Sequence, residues 1–447
     1  MKKYEAYKNS GIEWIGQIPK DWEVIKIKNL CNVTDGTHFS PRTESTGKPY
    51  VTVSNVNNDF VDVANALLIS EEDFDTLVRQ GCQPKVGDVL LSKDGTVGRS
   101  AIVGNNNGFV CLSSLGILSP KAGLFSGYLK RSLDSIMLQY QMNRAMAGSA
   151  LKRITISKIN EFCMLLPPLS EQKAIAFYLD YKAGQIDASI SAINTQIDDL
   201  KSYRQSIISE AVTKGLNPNV PMKDSGVDWI GEIPEGWSLS RIKFETDMVL
   251  GKMLEYKEPK NNNGSYTLEP YLKSRNIGML KVFNDIEQLD RMWFNDKEKT
   301  QYELKDGDLV MNEGGDIGKV SLWKDPGFKC YIQNSVHKIT PHRDVLDSTY
   351  LQYLVSIITS KGYFNTVVSS ISIAHLTKEK LAETPILLPP LSEQQTIASY
   401  LDSKTSKIDA TIASLESQRD DLNALKQSII SEAVTGKIDV RDWKPNK

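Results

Sequence analysis

The segment Gly314–Lys319, GGDIGK, is the first place to look for chemistry, because glycines ahead of a lysine are what a phosphate-cradling loop needs. Such a loop requires four residues between its glycines and a hydroxyl after the lysine to hold magnesium. Here three residues separate Gly314 from Gly318, and Val320 stands where the hydroxyl belongs. A base-modifying methyltransferase would need an Asn/Asp-Pro-Pro-aromatic motif, but Pro167-Pro168 and Pro389-Pro390 each follow leucine. The four histidines, His38, His337, His342 and His375, have no metal-ligand spacing, and the five cysteines form no C-x-x-C pair. No catalytic residue, metal site or cofactor is expected. The cysteine usage fits a reducing cytoplasm, and MKKYEAYKNSGIEW does not read as a secretory leader.

A formal net charge of −2 over 447 residues excludes a protein coated in positive charge. A nucleic-acid reading therefore needs cations gathered on particular faces. The chain's organisation supplies the reason to look for them, because it is written twice. NSGIEWIGQIPKDW (Asn9–Trp22) returns as DSGVDWIGEIPEGW (Asp224–Trp237), and YVTVSNV at Tyr50 returns as YLKSRNI at Tyr271. GDVLLSKDGTVGR at Gly87 matches GDLVMNEGGDIGK at Gly307, and LPPLSEQKAIAFYLD at Leu166 matches LPPLSEQQTIASYLD at Leu388. SIISEAVT recurs at Ser206 and Ser428, so the order is kept and the offset stays between 215 and 222 residues. A degenerate nucleotide loop would not recur at that offset; a turn presenting Arg99 and Lys319 to phosphate would.

Each copy divides in two. Residues 1–166 and 216–388 are β-rich runs broken by Gly, Asn and Pro, and read as mixed α/β domains. Tyr50–Val53 and Val86–Leu91 are expected strands. Residues 167–215 and 389–447 carry a long helix each, opened by the paired prolines with Ser170 as N-cap and closed near Gly215 and Gly436. Ile175, Leu179, Ile186, Ile190, Ile193, Ile197, Leu200 and Ile207 mark one face of the first. Ile397, Leu401, Ile408, Ile412, Leu415, Leu422, Leu425 and Ile429 mark the second. The alternating spacing is that of a coiled coil, so the helices are expected to pair. About 40 residues make a helix of about 60 Å. Antiparallel pairing lets each α/β domain keep its ends together, giving two heads held apart about a pseudo-twofold axis.

On DNA such a spacer covers about 18 base pairs, so two non-identical heads would touch two short sequences across an unread gap. Candidate DNA-binding residues are Thr37, His38, Arg42, Lys48, Lys93, Arg99, Lys152 and Arg153 in the first head. In the second they are Lys252, Lys273, Arg275, Asn276, Lys319 and His375. They are chosen because Arg and Lys suit guanine edges and phosphate, and Asn suits adenine.

The order head, LPPLSEQ helix, head, LPPLSEQ helix resembles the specificity subunits of Type I restriction–modification systems, over essentially the whole chain. DGTHFSP at Asp35–Pro41 and the GD-strand segments at Gly87 and Gly307 carry the resemblance further. It implies a non-catalytic protein that reads a split, asymmetric DNA site with its two target-recognition domains. It also implies partners: double-stranded DNA, two adenine-N6 methyltransferase subunits docked on the helices, and restriction subunits beyond them. Asp198, Asp199, Asp420 and Asp421 lie on helix faces that such partners could meet. The competing reading is a stand-alone DNA-binding or tethering protein of the same architecture.

Overall fold

The computed structural model describes residues 2–57, 59–104, 108–147, 152–254, 257, 259, 264–283, 289–324, 326–367 and 375–445. The chain is a mixed α/β protein with two similar heads and two long helices, and its contacts divide it into two compact units. One unit is Met1–Asn194 with Glu416–Lys447; the other is Thr195–Leu415.

The first unit opens on a hairpin, Tyr7–Asn9 against Gln17–Pro19, and a strand, Glu23–Lys26, paired antiparallel with Cys163–Leu166. Its central antiparallel sheet runs Cys31–Asp35, Leu115–Pro120, Val89–Ser92, Ser100–Ile102. A second sheet joins Val110–Cys111, Lys48–Val51, Leu67–Ile69 and Thr43–Glu44. Both expected strands exist, shifted by two or three residues, because Val53–Asn55 closes into a 3-10 turn and Gly87 takes a positive φ of 90°. The helices Ser126–Leu133 and Ile136–Met146 cover the central sheet and bury Tyr128, Leu129, Leu133 and Leu138 against it.

The second unit repeats this plan. Met222–Asp224 pairs with Glu232–Pro234, and Ser238–Arg241 with Pro385–Leu388. A larger sheet runs Thr246–Leu250, Val336–Pro341, Leu309–Asn312, Val320–Trp323, Lys281–Phe283. The helix Ser348–Ser360 buries Tyr350, Leu351, Leu354 and Ile358 against it.

The LPPLSEQ motif owes its residues to how each long helix begins. The Pro168 carbonyl accepts from Glu171 and Gln172, so the helix Leu169–Lys214 starts one residue before Ser170, which sits inside the first turn and not at the N-cap. The buried Gln172 amide then makes three bonds of 2.9 Å: it accepts from Phe125 N–H and donates to the carbonyls of Gly123 and Pro167. Gln394 does the same with Asp347, Val345 and Pro389 at the start of Leu391–Val434. Each glutamine thereby fixes a long helix to the loop that feeds its head's covering helix.

Both units contain a piece of each long helix, and in both the pieces run antiparallel. In the first unit Lys426 Nζ meets Asp187 at 2.6 Å, while Trp443 packs 5.0 Å from Tyr178. In the second Arg204 grips Asp409 with two bonds, at 2.8 and 3.1 Å, while Gly215, just past the end of the first helix, lies beside Glu393 in the first turn of the second. Of the expected seam, Ile186, Ile197 and Ile408 are buried. Ile190, Ile193, Leu200, Ile412, Leu415, Leu422 and Ile429 are half-buried. Leu425 is 48% exposed and lies off the seam, and Ile208 and Ile430 replace Ile207 and Ile429 as the fully buried residues. The cause is a change of partner: near their C-terminal ends the helices pack into head cores, Ile208 with Trp237 and Ile430 with Trp22, and a different face turns inward. The positive-φ glycines Gly215 and Gly436 lie just past those ends, beside Trp237 and beside Pro19 and Trp22.

Candidate nucleic-acid interface

The GD-strand segment is a gripped turn. Gly87 turns the chain, and the Asp88 carboxylate caps it by accepting from Lys85 N–H at 2.7 Å; Asp308 does the same for Lys305. Burial pushes the Asp308 carboxyl above its ordinary value, opposed by a 2.6 Å bond from Thr340. At the far end Ser92 Oγ accepts from Arg99 N–H at 2.8 Å and donates to the Thr96 carbonyl at 2.6 Å. A Cβ on Gly98 (φ +98°) would come within 2.6 Å of Gln139, whose amide donates to the Gly98 carbonyl. Gly318 (φ +82°) meets Thr359 in the same way, and the Thr359 hydroxyl donates to its carbonyl at 2.9 Å. GGDIGK thus joins two antiparallel strands, whereas a phosphate loop runs from strand into helix. Arg99 leaves the turn exposed; Lys319 is half-buried and pairs with Asp316 at 2.5 Å.

The DGTHFSP loop is held as tightly. A Cβ on Gly36 would lie 2.0 Å from the Cys111 carbonyl, so only glycine permits the parallel bridge that sets Thr37 beside Leu112. Thr37 is buried, with its hydroxyl accepting from Phe39 N–H. His38 is exposed and 3.3 Å from Asp35. Lys93, 2% exposed, lies between Asp35 at 3.4 Å and Asp94 at 3.8 Å, and Arg153 closes on Asp94 at 3.1 Å. Lys152, exposed, precedes it. The fold therefore gathers Thr37, His38, Lys93, Lys152 and Arg153 at one place.

The second unit keeps the backbone and changes the side chains. Gly251 approaches the Gln333 carbonyl, where a Cβ would lie 2.4 Å away, and Lys252 takes the bridge position of Thr37. Lys252 is buried, donating to the Trp293 carbonyl at 2.7 Å and to Glu298 at 2.8 Å, with its ammonium 5.3 Å from the Phe294 ring centre. Glu313 stands in place of Lys93, and the Gly314–His375 bridge in place of Asp94–Arg153. His375 is exposed. Behind it His337 is buried, bonded to the Leu376 carbonyl at 2.7 Å, and burial holds its pKa below the usual imidazole value.

The remaining candidates lie apart from these clusters. Lys48, on the second sheet, pairs with Glu71 at 3.3 Å, and the exposed Arg42 precedes that sheet's edge strand Thr43–Glu44. Lys273 and the exposed Arg275 share Asp290, and the hydrogen bond from Lys273 holds that carboxyl below its ordinary value. Asn276 is occupied by its own 3-10 turn: its side-chain oxygen accepts from Lys273 N–H at 3.0 Å, as Asn55 does from Thr52. The sequence had offered Asn276 as a free amide. Sequence reasoning also missed Lys130 and Arg131, which project from a buried helix face. Lys130 bonds Asp59 at 2.7 Å and Asp134 at 2.6 Å, and Arg131 bonds Asp180 at 2.7 Å. Lys130 lines a polar cleft of about 450 Å³ with Arg99, Gln139 and Lys426. Charged residues buried in this way give no periodic signal.

Comparison with known proteins matches residues 19–199 and 234–419 to a family described as the Type I restriction modification DNA specificity domain. The chain is 26% identical over 452 residues to the Type I restriction enzyme MjaVIII specificity subunit of Methanocaldococcus jannaschii, covering 95% of each. It is 21% identical over 450 residues to the EcoKI specificity subunit of Escherichia coli K12, covering 96% of this chain and 91% of that one. A chain in a solved structure on complex assembly and conformational transition of the type I R-M system is similar with a TM-score of 0.67. That likeness has 17% identity and covers 94% of this chain and 99% of that one.

Proposed function

The chain belongs to the Type I restriction modification DNA specificity family, a family of non-catalytic recognition subunits, and from that premise we propose that it reads a two-part asymmetric DNA site, one half per head. One observation carries the reading. The two heads keep the same bonded backbone, glycine for glycine, and carry Thr37, Lys93 and Arg153 in one and Lys252, Glu313 and His375 in the other. Residues 1–166 and 216–388 are the target-recognition domains in this reading, and 167–215 and 389–447 the spacer helices. The spacer sets the gap and docks two adenine-N6 methyltransferase subunits, with restriction subunits joining them. The setting is the cytoplasm, in keeping with five free cysteines.

The exposed candidates His38, Arg42, Lys48, Arg99, Lys152, Arg153, Arg275 and His375, with the half-buried Lys273 and Lys319, are assigned to DNA. Thr37, Lys93, Lys252 and Asn276 are assigned to holding the loops. The test is methylation by the reconstituted complex on a site found by methylome sequencing. Arg153→Ala and Arg275→Ala should each relax one half-site, by about tenfold or more per lost base contact. Equal loss at both halves refutes separate reading heads.

A further inference from the structure

Apart from the recognition loops, each unit carries an apolar cleft with a basic rim. In the first unit it has a volume of about 650 Å³ and is lined by Ile12, Trp14, Tyr140, Ala145, Phe162 and Cys163. Trp14 and Tyr140 are 42% and 49% exposed, with ring centres 5.7 Å apart. At its edge Lys26 and Lys28 both bind Glu161 at 2.6 Å, and Arg144 and Lys158 stand beside them. The second unit has a cleft of the same volume lined by Val227, Leu239, Phe244, Tyr363 and Pro385. Tyr363 lines it as Tyr140 lines the first, with Trp229 packed 6.0 Å from that ring outside the lining, and Arg241 and Lys243 bind Glu383 at 2.5 Å. Phe244 and Leu239 are 60% and 43% exposed.

Exposed aromatics in a cleft add little to folding, and single exposed apolar residues are ordinary. What is not ordinary is the repetition. The heads differ where side chains would read bases, yet both keep the Trp–Tyr pair, the apolar floor and the cation–glutamate–cation rim. An occupant that is the same at both units explains this, and two different DNA half-sites do not. Phosphate would use the rim but leave the apolar floor unfilled. We propose that each cleft is a docking site for one copy of the same protein partner, entered by a segment with apolar anchors and acidic flanks that complement the positive rim. This rests on the reading above, in which two copies of one modification subunit bind, and it adds a contact on the recognition heads to the one on the helices.

Cys163 makes the test direct. Cys31, Cys82, Cys111 and Cys330 are buried, and burial raises their thiols, Cys31 and Cys330 to about 12, so Cys163 is the cysteine open to alkylation. Iodoacetamide labelling of the full chain, followed by mass spectrometry, should slow at Cys163 by about tenfold or more when the purified cognate modification subunit is saturating. A Pro385→Cys chain should show the same protection in the second unit. Trp14→Ser/Tyr140→Ser should weaken one of the two bound copies by about 30-fold, read as stoichiometry in native mass spectrometry. The rim pair Arg144→Glu/Lys158→Glu, which leaves the apolar packing intact, should weaken the same copy. Two copies bound with Cys163 still fully reactive would overturn the cleft while leaving the recognition reading intact. Loss of DNA binding with both copies retained would assign the cleft to DNA and overturn it too. A wild-type chain that binds no modification subunit would sink the underlying reading itself.

Discussion

Replacing Gln172 by methionine keeps the length and nearly the volume of the side chain, so the change removes hydrogen bonds without opening a cavity. Three bonds of 2.9 Å are lost. A bond lost with its partner left dry costs about 1–3 kcal/mol, and less where water can take its place. The Pro167 carbonyl is buried, whereas Phe125 N–H and the Gly123 carbonyl are half-open, so the sum is about 3 kcal/mol rather than the upper limit. The chain has two units, and a local probe reports on the one that carries the substitution. Amide hydrogen exchange at Phe125 reports the anchor itself and should accelerate about 100-fold, the equivalent of that free energy. Gln172→Glu should do worse near neutral pH, because a carboxylate would face the two carbonyls that the amide satisfied; acidification should partly restore it. Gln394→Met should speed exchange at Asp347 and leave Phe125 unchanged. Less than threefold acceleration at Phe125 in Gln172→Met would refute the assignment of the motif glutamine as the anchor.

Gly98→Ala and Gly318→Ala should each cost about 1–3 kcal/mol, through left-handed backbone and a clash with Gln139 or Thr359, seen as a lower melting temperature. Ile197→Asp, at 3% exposure, should destabilise more than Ile193→Asp at its half-buried site, by about 2 kcal/mol or more in urea titrations. His337 has a folded pKa below its unfolded value, so the unfolded chain takes up the proton first. The second unit should therefore lose stability as pH falls below about 6.5 towards the depressed pKa, and His337→Gln should flatten that slope in melts across the window.

The duplication was legible because its landmarks answer to backbone constraints: Gly98 and Gly318 at a helix side chain, Gln172 and Gln394 at a helix start; Gly36 and Gly251, each against a carbonyl, are a pair that only the fold reveals. Such positions tolerate one residue type and recur in both copies. The helix pairing was legible in its period and blurred at its ends, where Ile208 and Ile430 are claimed by head cores that the stripe does not announce. The site was legible least. Lys93 and Lys252 look like surface cations in the sequence, and only the fold brings them the carboxylates of Asp35 and Glu298 that allow burial. Asn276 looked like a free base-reading amide for the same reason: its partner is a backbone N–H in its own turn.

The division of the chain also dictates an order of assembly. Thr195–Leu415 is continuous, while the other unit needs Glu416–Lys447 to complete a core begun by the first residues. On the ribosome, where folding normally proceeds from the N-terminus, the head synthesised first must wait with its core unfinished while the one synthesised second can close. Tyr128, Leu129 and Trp22 stay without the Ile430–Val434 turn until the second head has been made, making the leading half the segment most in need of a chaperone's shelter.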